Sequence, residues 1–114
     1  MKKKYDLKNW QDLPYGGVIT EGGNAHDYET GTWRTWRPVW KREACIHCLT
    51  CWVLCPEDAY QLRDGKMKNG KDRKEICDIN YYHCKGCGLC VKECPVNKNQ
   101  KNDKTALDFV REET

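Results

Sequence analysis

The sequence predicts an α+β fold in which one strand–loop–helix–strand unit occurs twice, preceded by an extended N-terminal arm. The repeat is predicted by a run of four cysteines ending in proline, which begins at Cys45 and occurs again from Cys84. The arm is predicted because residues 1–38 are rich in Gly, Trp and Tyr but show neither helical nor sustained strand periodicity. The chain therefore divides into an arm, residues 1–38, and a module, residues 39–114.

Short runs of β-branched and aromatic residues predict the strands of the module. Each half has one strand entering its cysteine run and one leaving it, at Trp40–Arg42, Tyr60–Arg63, Ile76–Ile79 and Leu107–Arg111. We expect a hairpin insertion over residues 64–74, with turns at Asp64-Gly65 and Asn69-Gly70. A polar insert over residues 97–104 precedes the last strand.

Each cysteine run has the spacing Cys-x2-Cys-x2-Cys-x3-Cys-Pro, which is the ligand pattern of paired [4Fe–4S] clusters. Three closely spaced cysteines let one tight loop present three thiolates to one cluster. The fourth cysteine lies about one helical turn further on, so it faces the neighbouring cluster, and proline then ends the short helix. The expected ligands are Cys45, Cys48, Cys51 and Cys94 for cluster I, and Cys84, Cys87, Cys90 and Cys55 for cluster II.

Structural zinc and disulfides are the alternatives for these cysteines. A zinc site takes four ligands at one tetrahedral ion and does not require a doubled run with terminal prolines. Disulfides are disfavoured because nine is an odd number of cysteines and residues 1–10 lack the apolar segment of a secretory signal. The expected compartment is the cytoplasm, and no apolar run has the length of a transmembrane helix.

Composition indicates a small domain that depends on its cofactors for stability. A hydrophobic fraction of 39% and a mean hydropathy of −0.94 predict a thin core, so cluster binding must supply part of the folding free energy. The formal charge of +3 does not indicate nucleic-acid binding, because eight thiolates outweigh two oxidised cluster cores. Bases concentrate in residues 63–74, which form either a solvated hairpin tip or a docking patch for an acidic electron carrier.

Several residues beside the runs are further candidates. Cys77 is expected to be a small buried packing residue, and ligation by His47 is disfavoured because the thiolate set is complete. His47 and Leu49 replace Gly86 and Gly88 of the second run, so the two clusters are expected to differ in potential. We find no P-loop, GxGxxG or nucleophile–base constellation, so no catalytic site is expected in this chain.

One stretch of the arm extends the pattern beyond the cysteines: Thr30-Gly31-Thr32-Trp33-Arg34-Thr35-Trp36-Arg37-Pro38. With the first cysteine run and Cys84-Lys85-Gly86-Cys87-Gly88, it resembles the delta subunit of pyruvate and related 2-oxoacid:ferredoxin oxidoreductases. The resemblance covers about residues 16–96 and the tail, and departs from the family at the Lys-rich hairpin and after Pro95. It implies a bacterial 2[4Fe-4S] ferredoxin-like fold with a pseudo-twofold βαβ repeat.

The resemblance also implies a function. The chain would be the electron-transfer subunit of the oxidoreductase and relay single electrons through two [4Fe-4S] clusters to soluble ferredoxin. Thiamine diphosphate with Mg2+ and the acyl transfer to coenzyme A would belong to partner subunits. The arm, residues 1–38, has many aromatic residues and no core of its own, so we expect it to wrap a partner subunit, and the alternative is that it folds back over the module. No nucleic acid or membrane partner is implied. Two alternatives stay open: a free-standing 2[4Fe-4S] ferredoxin or ferredoxin-like subunit of another redox complex, and a zinc-stabilised interaction module.

Overall fold

A computed structural model describes residues 8–99 and 103–113. These ranges contain the strands β1 (Trp36–Trp40), β2 (Tyr60–Lys66), β3 (Asp72–Ile79) and β4 (Leu107–Arg111), and the helices α1 (Thr50–Leu54), α2 (Leu89–Glu93) and α3 (Pro95–Lys98). Short 3-10 turns lie at Trp10–Asp12, Tyr15–Gly17, Asn24–Asp27, Thr30–Trp33 and Arg42–Ala44. The fold is a small α+β fold, as predicted. Within the described ranges, no helix is long and apolar enough to cross a membrane.

The four strands form two antiparallel, two-stranded sheets. In the first sheet β1 pairs with β4, with Trp40 opposite Leu107. In the second sheet β2 pairs with β3, with Tyr60 opposite Ile79. Each sheet therefore joins a strand of the first half of the module to a strand of the second half. This pairing brings the two cysteine runs together, and α1 packs against α2.

The first strand begins earlier than the sequence predicts. Trp40–Arg42 was the expected strand, whereas β1 runs over Trp36–Trp40 and Arg42–Ala44 form a 3-10 turn. Pairing with a strand about 70 residues later decides these bounds, and local propensity does not report it. Pro38 is tolerated because each strand of a two-stranded sheet has one unpaired edge.

The hairpin insertion is a continuation of β2 and β3. The expected turn at Asp64-Gly65 is wrong, because both residues lie inside β2. The turn at Asn69-Gly70 is confirmed: the Gly70 N–H donates to the Met67 carbonyl, and Gly70 adopts a φ of +81°. Near the base of the hairpin the register shifts between Gln61 and Leu62, which leaves Cys77 as the extra residue of a bulge. Cys77 is half-buried, so the prediction of a buried packing residue is also wrong.

Proline has different roles after the two cysteine runs. Helices α1 and α2 end before Pro56 and Pro95, but Pro95 also begins α3 as its first residue, where its missing N–H costs nothing. Helix α3 takes in the start of the polar insert predicted over residues 97–104, of which residues 100–102 lie outside the described ranges. Asn97 donates to the carbonyls of Val91 and Leu107, which ties α3 to both α2 and β4.

The buried core is small, which agrees with the expected thin core. Its members are Ala59, Tyr60, Ile76, Ile79, Cys90, Cys94, Ala106 and Leu107. Ile76 is the largest side chain that is fully buried. Because two of these core residues belong to the cysteine runs, the core and the cysteine sites share the same interior.

The N-terminal segment lies on the outside of the module. Residues 8–29 are all exposed, whereas Gly31 is buried. The Gly31 N–H donates to the Tyr82 carbonyl at 2.8 Å, and the Tyr82 hydroxyl donates to the Asp27 carbonyl. A Cβ atom on Gly31 would lie 1.9 Å from the Tyr81 carbonyl oxygen, so only glycine fits at this attachment point.

Candidate metal centres

The two cysteine loops have the same backbone conformation, although their sequences differ at the residues that adopt it. Gly86 and Gly88 have φ values of +68° and +79°, and the equivalent residues His47 and Leu49 have +53° and +64°. Each loop thus reverses twice before its helix begins, at Thr50 or at Leu89. The left-handed region is costly for a side chain and free for glycine, so the first loop carries backbone strain of about 1–2 kcal/mol per residue.

His47 is held in this conformation by hydrogen bonds. Its Nδ1 accepts from the Ile76 main-chain N–H at 3.2 Å, and its own N–H donates to Cys45 Sγ at 3.4 Å. Burial lowers the pKa of the imidazole, opposed by the nearby Glu75 carboxylate. His47 is therefore a neutral acceptor that joins the first cysteine loop to β3.

Gly86 is required for a second reason. A Cβ atom at this position would lie 1.9 Å from the Trp36 carbonyl oxygen, so the second loop presses directly against β1. The first loop has no such contact at His47 and can carry a side chain there. This difference accounts for glycine at position 86, whereas a Cβ atom on Gly88 would make only an ordinary contact, 3.5 Å from the Phe109 ring.

The cysteines of the runs line two separate cavities. The Cys45 cavity is lined by Cys45, Cys48 and Cys51 of the first run and by Cys94 of the second run. The Cys84 cavity is lined by Cys84, Cys87 and Cys90 of the second run and by Cys55 of the first run. Each cavity is thus lined by the first three cysteines of one run and the last cysteine of the other, and Cys77 lines neither cavity.

The crossed grouping follows from the short helices. Cys51 lies on α1 and faces the Cys45 cavity, while Cys55 follows the helix and faces the other cavity. Cys90 and Cys94 have the same relationship on and after α2. Because α1 packs against α2, each helix end delivers its last cysteine across the helix pair.

The thiols are surrounded by apolar walls and by main-chain donors. Burial raises the pKa of Cys51 to about 12 and also raises the pKa values of Cys84 and Cys90. The Tyr60 hydroxyl beside Cys90 and the main-chain N–H groups of Trp52, Gly86 and Val91 oppose part of these rises. These three thiols therefore keep their protons at neutral pH, and a metal must displace those protons when it binds.

The apolar residues inside the runs divide into two groups. Ile46 and Leu89 each line a cavity, although both remain partly exposed. Val53 is 71% exposed and lines neither cavity, so it does not shield the thiols from water.

Arg34 is a site residue whose role the sequence did not reveal. Its Nη1 donates to the carbonyls of Tyr81 and Cys84, and its Nε and Nη2 donate to the Glu112 carboxylate. The pKa of Arg34 is raised by the hydrogen bond to Glu112, and the pKa of Glu112 is lowered by the same bond. Arg34 thus fixes the start of the second cysteine loop from the N-terminal segment.

Trp40 and Tyr60 also escaped the sequence analysis as site residues. Trp40 lines the Cys45 cavity and Tyr60 lines the Cys84 cavity. The sequence could have pointed to them only through their positions: Trp40 lies five residues before Cys45, and Tyr60 lies five residues after Cys55.

The donor set fits iron–sulfur clusters. Each cavity offers four thiols on nearly apolar walls with several main-chain N–H groups aimed at sulfur, and soft thiolate is the ligand that such clusters take. Among residues 8–99 and 103–113, no group of three or more His, Cys, Asp and Glu side chains has the arrangement that holds a single metal ion.

Comparison with known proteins supports the same cofactor. A family model described as a 4Fe-4S dicluster domain matches residues 44–98. The chain is 41% identical over 107 residues to the pyruvate synthase subunit PorD of Thermotoga maritima, covering 94% of this chain and 97% of that protein. It is 42% identical over 96 residues to the PorD subunit of Methanocaldococcus jannaschii, covering 84% and 92%.

The chain belongs to the PorD family. A more distant relative is the delta subunit of an NADH-dependent phenylglyoxylate dehydrogenase from Aromatoleum evansii, 34% identical over 70 residues, which cover 61% of this chain and 64% of that subunit. A PorD chain with a 4Fe-4S dicluster domain carries two [4Fe–4S] clusters and is a ferredoxin-type electron-transfer subunit. The expected resemblance is confirmed, and the zinc alternative is set aside.

Proposed function

We propose that this PorD chain is the electron-transfer subunit of a thiamine-diphosphate-dependent 2-oxoacid:ferredoxin oxidoreductase whose substrate is pyruvate. It takes single electrons from partner subunits and passes them through its two clusters to soluble ferredoxin. The observation that carries the proposal is the pair of four-thiol cavities in a chain that aligns over nearly its whole length with a pyruvate synthase subunit. Thiamine diphosphate, Mg2+ and the acyl transfer to coenzyme A belong to the partner subunits.

The ligands of the two clusters follow from the cavities. We assign Cys45, Cys48, Cys51 and Cys94 to cluster I, and Cys84, Cys87, Cys90 and Cys55 to cluster II, supported by the residues that line each cavity. Each bound cluster supplies a site that accepts and releases one electron. The protein holds the thiolates in place, donates main-chain N–H groups to sulfur and keeps most water away. Because the last cysteine of each run belongs to the other cavity, the separation of the two sites is fixed.

The fold behind these sites is a bacterial 2[4Fe-4S] ferredoxin-like fold with a pseudo-twofold βαβ repeat. Support comes from the repeated positive φ values, at His47 and Leu49 in one loop and at Gly86 and Gly88 in the other. The pairing of β1 with β4 and of β2 with β3 is the exchange of strands that such a repeat requires. We also infer a cytoplasmic location, where nine free thiols are kept reduced.

The proposed domains are an arm over residues 1–38, which binds partner subunits, and a ferredoxin-like module over residues 39–114. The exposed aromatic residues of the described part of the arm support this role: Trp10 is 78% exposed and Trp33 is 61% exposed. Large aromatic side chains on a segment without its own core contribute strongly to interfaces. Only the part of the arm before Gly31 is available to a partner, because the Gly31 N–H is bonded to the Tyr82 carbonyl. The last residues of the arm, from Trp36, belong to β1.

The basic hairpin is the proposed docking site for ferredoxin. Arg63 and Arg73 both form ion pairs with Glu75, and Lys74 forms one with Asp64. The charges of these three bases are therefore partly neutralised within the hairpin. The exposed lysines near the tip, Lys66, Lys68 and Lys71, are the ones that face solvent. An acidic carrier is steered to such a patch by charge complementarity.

The base of the hairpin contacts both cluster sites. Ile76 of β3 lines the Cys45 cavity and donates its N–H to His47 in the first cysteine loop, and Tyr60 of β2 lines the Cys84 cavity. A carrier bound at the hairpin can therefore receive its electron from either cluster. The second cysteine loop also accepts a hydrogen bond from Arg34, so cluster II lies beside the segment that leads to the partner subunits.

Anaerobic purification of the complex tests the proposal. We expect this chain to co-purify with thiamine-diphosphate-containing subunits and to carry about eight iron and eight sulfide ions, as two [4Fe–4S] clusters require. Pyruvate and coenzyme A should then reduce an added ferredoxin, and complex depleted of this chain should not. A chain that purifies alone, or that contains zinc without sulfide, contradicts the proposal.

A further inference from the structure

Two buried side-chain donors near the cysteines have no hydrogen-bond partner in the described part of the chain. They are Trp40 Nε1 and Tyr60 Oη. Arg37 Nε is also without a hydrogen bond, but it lies 3.9 Å from a carboxylate oxygen of Glu112 and so has a charged neighbour. Buried donors are almost always paired in folded proteins, because an unpaired one has lost its water without compensation. Trp40 and Tyr60 therefore need an explanation that Arg37 does not.

Each of these two donors belongs to a different cavity. Trp40 ends β1, lines the Cys45 cavity and meets the ring of His47 edge to face. Tyr60 begins β2 and lines the Cys84 cavity. Its hydroxyl lies beside the Cys90 sulfur, a weak acceptor, without reaching the geometry of a hydrogen bond. The molecule thus supplies one unpaired buried donor for each set of four thiols.

Sulfur is the main acceptor that these cavities offer. Apart from the thiols, the Cys45 cavity is lined by apolar side chains and Thr50. The polar side chains of the Cys84 cavity besides Tyr60 are Glu57 and Lys85, which pair with each other at 2.7 Å. A neutral thiol is a weak acceptor, whereas a thiolate or sulfide of a bound cluster carries negative charge and accepts more strongly.

We propose that Trp40 donates its indole N–H to a sulfur of cluster I and that Tyr60 donates its hydroxyl to a sulfur of cluster II. This inference rests on the ligand sets of the proposed function. Reduction adds negative charge to the cluster sulfurs, so a hydrogen bond to sulfur is stronger in the reduced state. Each donor therefore raises the reduction potential of its own cluster through direct contact with a cluster sulfur.

Two pairs of variants test the proposal on the full chain with both clusters bound. Trp40→Phe and Tyr60→Phe remove one donor each. Trp36→Phe and Tyr82→Phe are the matched controls, because neither side chain lines a cavity. Trp36 is 44% exposed and approaches Gly86 only through its main-chain carbonyl, and the Tyr82 hydroxyl donates to the Asp27 carbonyl. Potentiometric titration followed by EPR reports each cluster separately.

We expect Trp40→Phe to lower the potential of cluster I and Tyr60→Phe to lower that of cluster II. At a fixed applied potential, the ratio of reduced to oxidised cluster falls by roughly threefold to tenfold, about the net worth of one ordinary hydrogen bond, because the oxidised cluster also accepts the bond and only its gain on reduction counts. If water instead entered the space left by the replaced side chain, the reduction potential would rise, because water stabilises the more negative, reduced cluster. The sign therefore separates a lost donor from a disturbed cavity.

Wild-type potentials in both donor variants, or a shift at the opposite cluster, would overturn the proposal. If Trp40→Phe fails to hold its cluster, wild-type protein exchanged into deuterium oxide keeps the question answerable. Main-chain N–H groups also place exchangeable deuterons near sulfur, so electron–nuclear double resonance must compare proteins: Tyr60→Phe should lose one deuteron coupling at cluster II alone, and wild-type protein with 15N-labelled indole should show a nitrogen coupling at cluster I. An unchanged deuteron pattern at cluster II in Tyr60→Phe, or no indole nitrogen coupling at cluster I, counts against the respective donor. Failure to find two [4Fe–4S] signals at all would instead reject the proposed function.

Discussion

Arg34 donates a hydrogen bond from Nη1 to the carbonyl oxygen of Cys84 at 3.2 Å, although 50 residues separate them. The same guanidinium group holds the Glu112 carboxylate through Nε and Nη2. One side chain therefore joins the N-terminal segment, the second cysteine loop and the end of β4. We therefore expect the stability of the proposed cluster II to depend on a residue that lies outside the cysteine runs.

Replacing Arg34 should weaken cluster II selectively. In Arg34→Gln the carbonyls of Tyr81 and Cys84 lose their donor, so the second loop opens more often and cluster II is lost roughly fivefold or more faster, the effect of about one lost hydrogen bond. Decay of each cluster's EPR signal during exposure to a chelator measures this. Arg37→Gln is the control, since its side chain is 43% exposed and contacts Glu112 at 3.9 Å and the Tyr81 ring at 5.5 Å, but donates no hydrogen bond to the second cysteine loop among the described residues. Equal loss of both clusters in Arg34→Gln would contradict this role.

The crossed ligand sets predict which cluster each cysteine variant loses. Cys55→Ala should damage the cluster held by the second run, and Cys94→Ala the cluster held by the first run, because each cysteine lines the other run's cavity. EPR of the reduced protein distinguishes the two clusters. Cys77→Ala is the matched control, because Cys77 is a half-buried bulge residue on β3, and it should keep both signals. Loss of the cluster of its own run in Cys55→Ala would show that the ligands are not crossed.

The hairpin lysines predict a salt-dependent effect on ferredoxin reduction. Reversing Lys66, Lys68 and Lys71 to glutamate should lower the rate of ferredoxin reduction at low ionic strength by about tenfold or more, because the patch then repels an acidic carrier. Pyruvate-dependent reduction of a small dye should not change. At high salt the rates of variant and wild type should converge, since screening removes the difference.

A single pair of variants provides the control for net charge. Lys68→Glu on the hairpin and Lys92→Glu on α2 change the charge equally, and both lysines are exposed. Lys68→Glu alone should slow ferredoxin reduction. Zero-length cross-linking should also join the acceptor to the hairpin lysines. Cross-links confined to Lys92, or equal rates for the two variants, would place the docking site elsewhere.

The local parts of this architecture could be predicted from the sequence, and the long-range parts could not. The spacing of the cysteines determines which residues form loops and short helices, and the structure groups the thiols as the spacing suggests. Arg34 could not be placed, because its partner Glu112 lies 78 residues away and no periodic pattern connects them. The start of β1 was likewise missed, since pairing with β4 decides it.

The loop conformations show a related limit. Gly86 and Gly88 predict a left-handed backbone, but His47 and Leu49 adopt the same conformation although their residue types do not predict it. Tertiary contacts support it at His47, through the hydrogen bond from Ile76. Comparison of the two sequences therefore suggested different loop conformations, which are in fact the same, and did not show that only the second loop packs closely against β1.

Truncation of the N-terminal segment should separate partner binding from cluster binding. A chain that begins at Thr30 keeps Gly31, Arg34 and all of β1, so both clusters should form with normal iron content. It lacks the exposed aromatic residues of the arm, such as Trp10 and Tyr28. We therefore expect it to lose most of its co-elution with the partner subunits, because buried aromatic side chains dominate interface energies.

A second truncation, beginning at Val39, is the matched comparison. It removes Arg34 and three residues of β1, so it should hold cluster II weakly and unfold more readily even before any partner is added. Iron content, separate EPR signals and size-exclusion chromatography with the partner subunits distinguish the two truncated chains. Full-strength assembly of the chain that begins at Thr30 would show that the module's own surface carries the interface. Normal cluster II stability in the chain that begins at Val39 would show that Arg34 and β1 are not needed to hold the second loop.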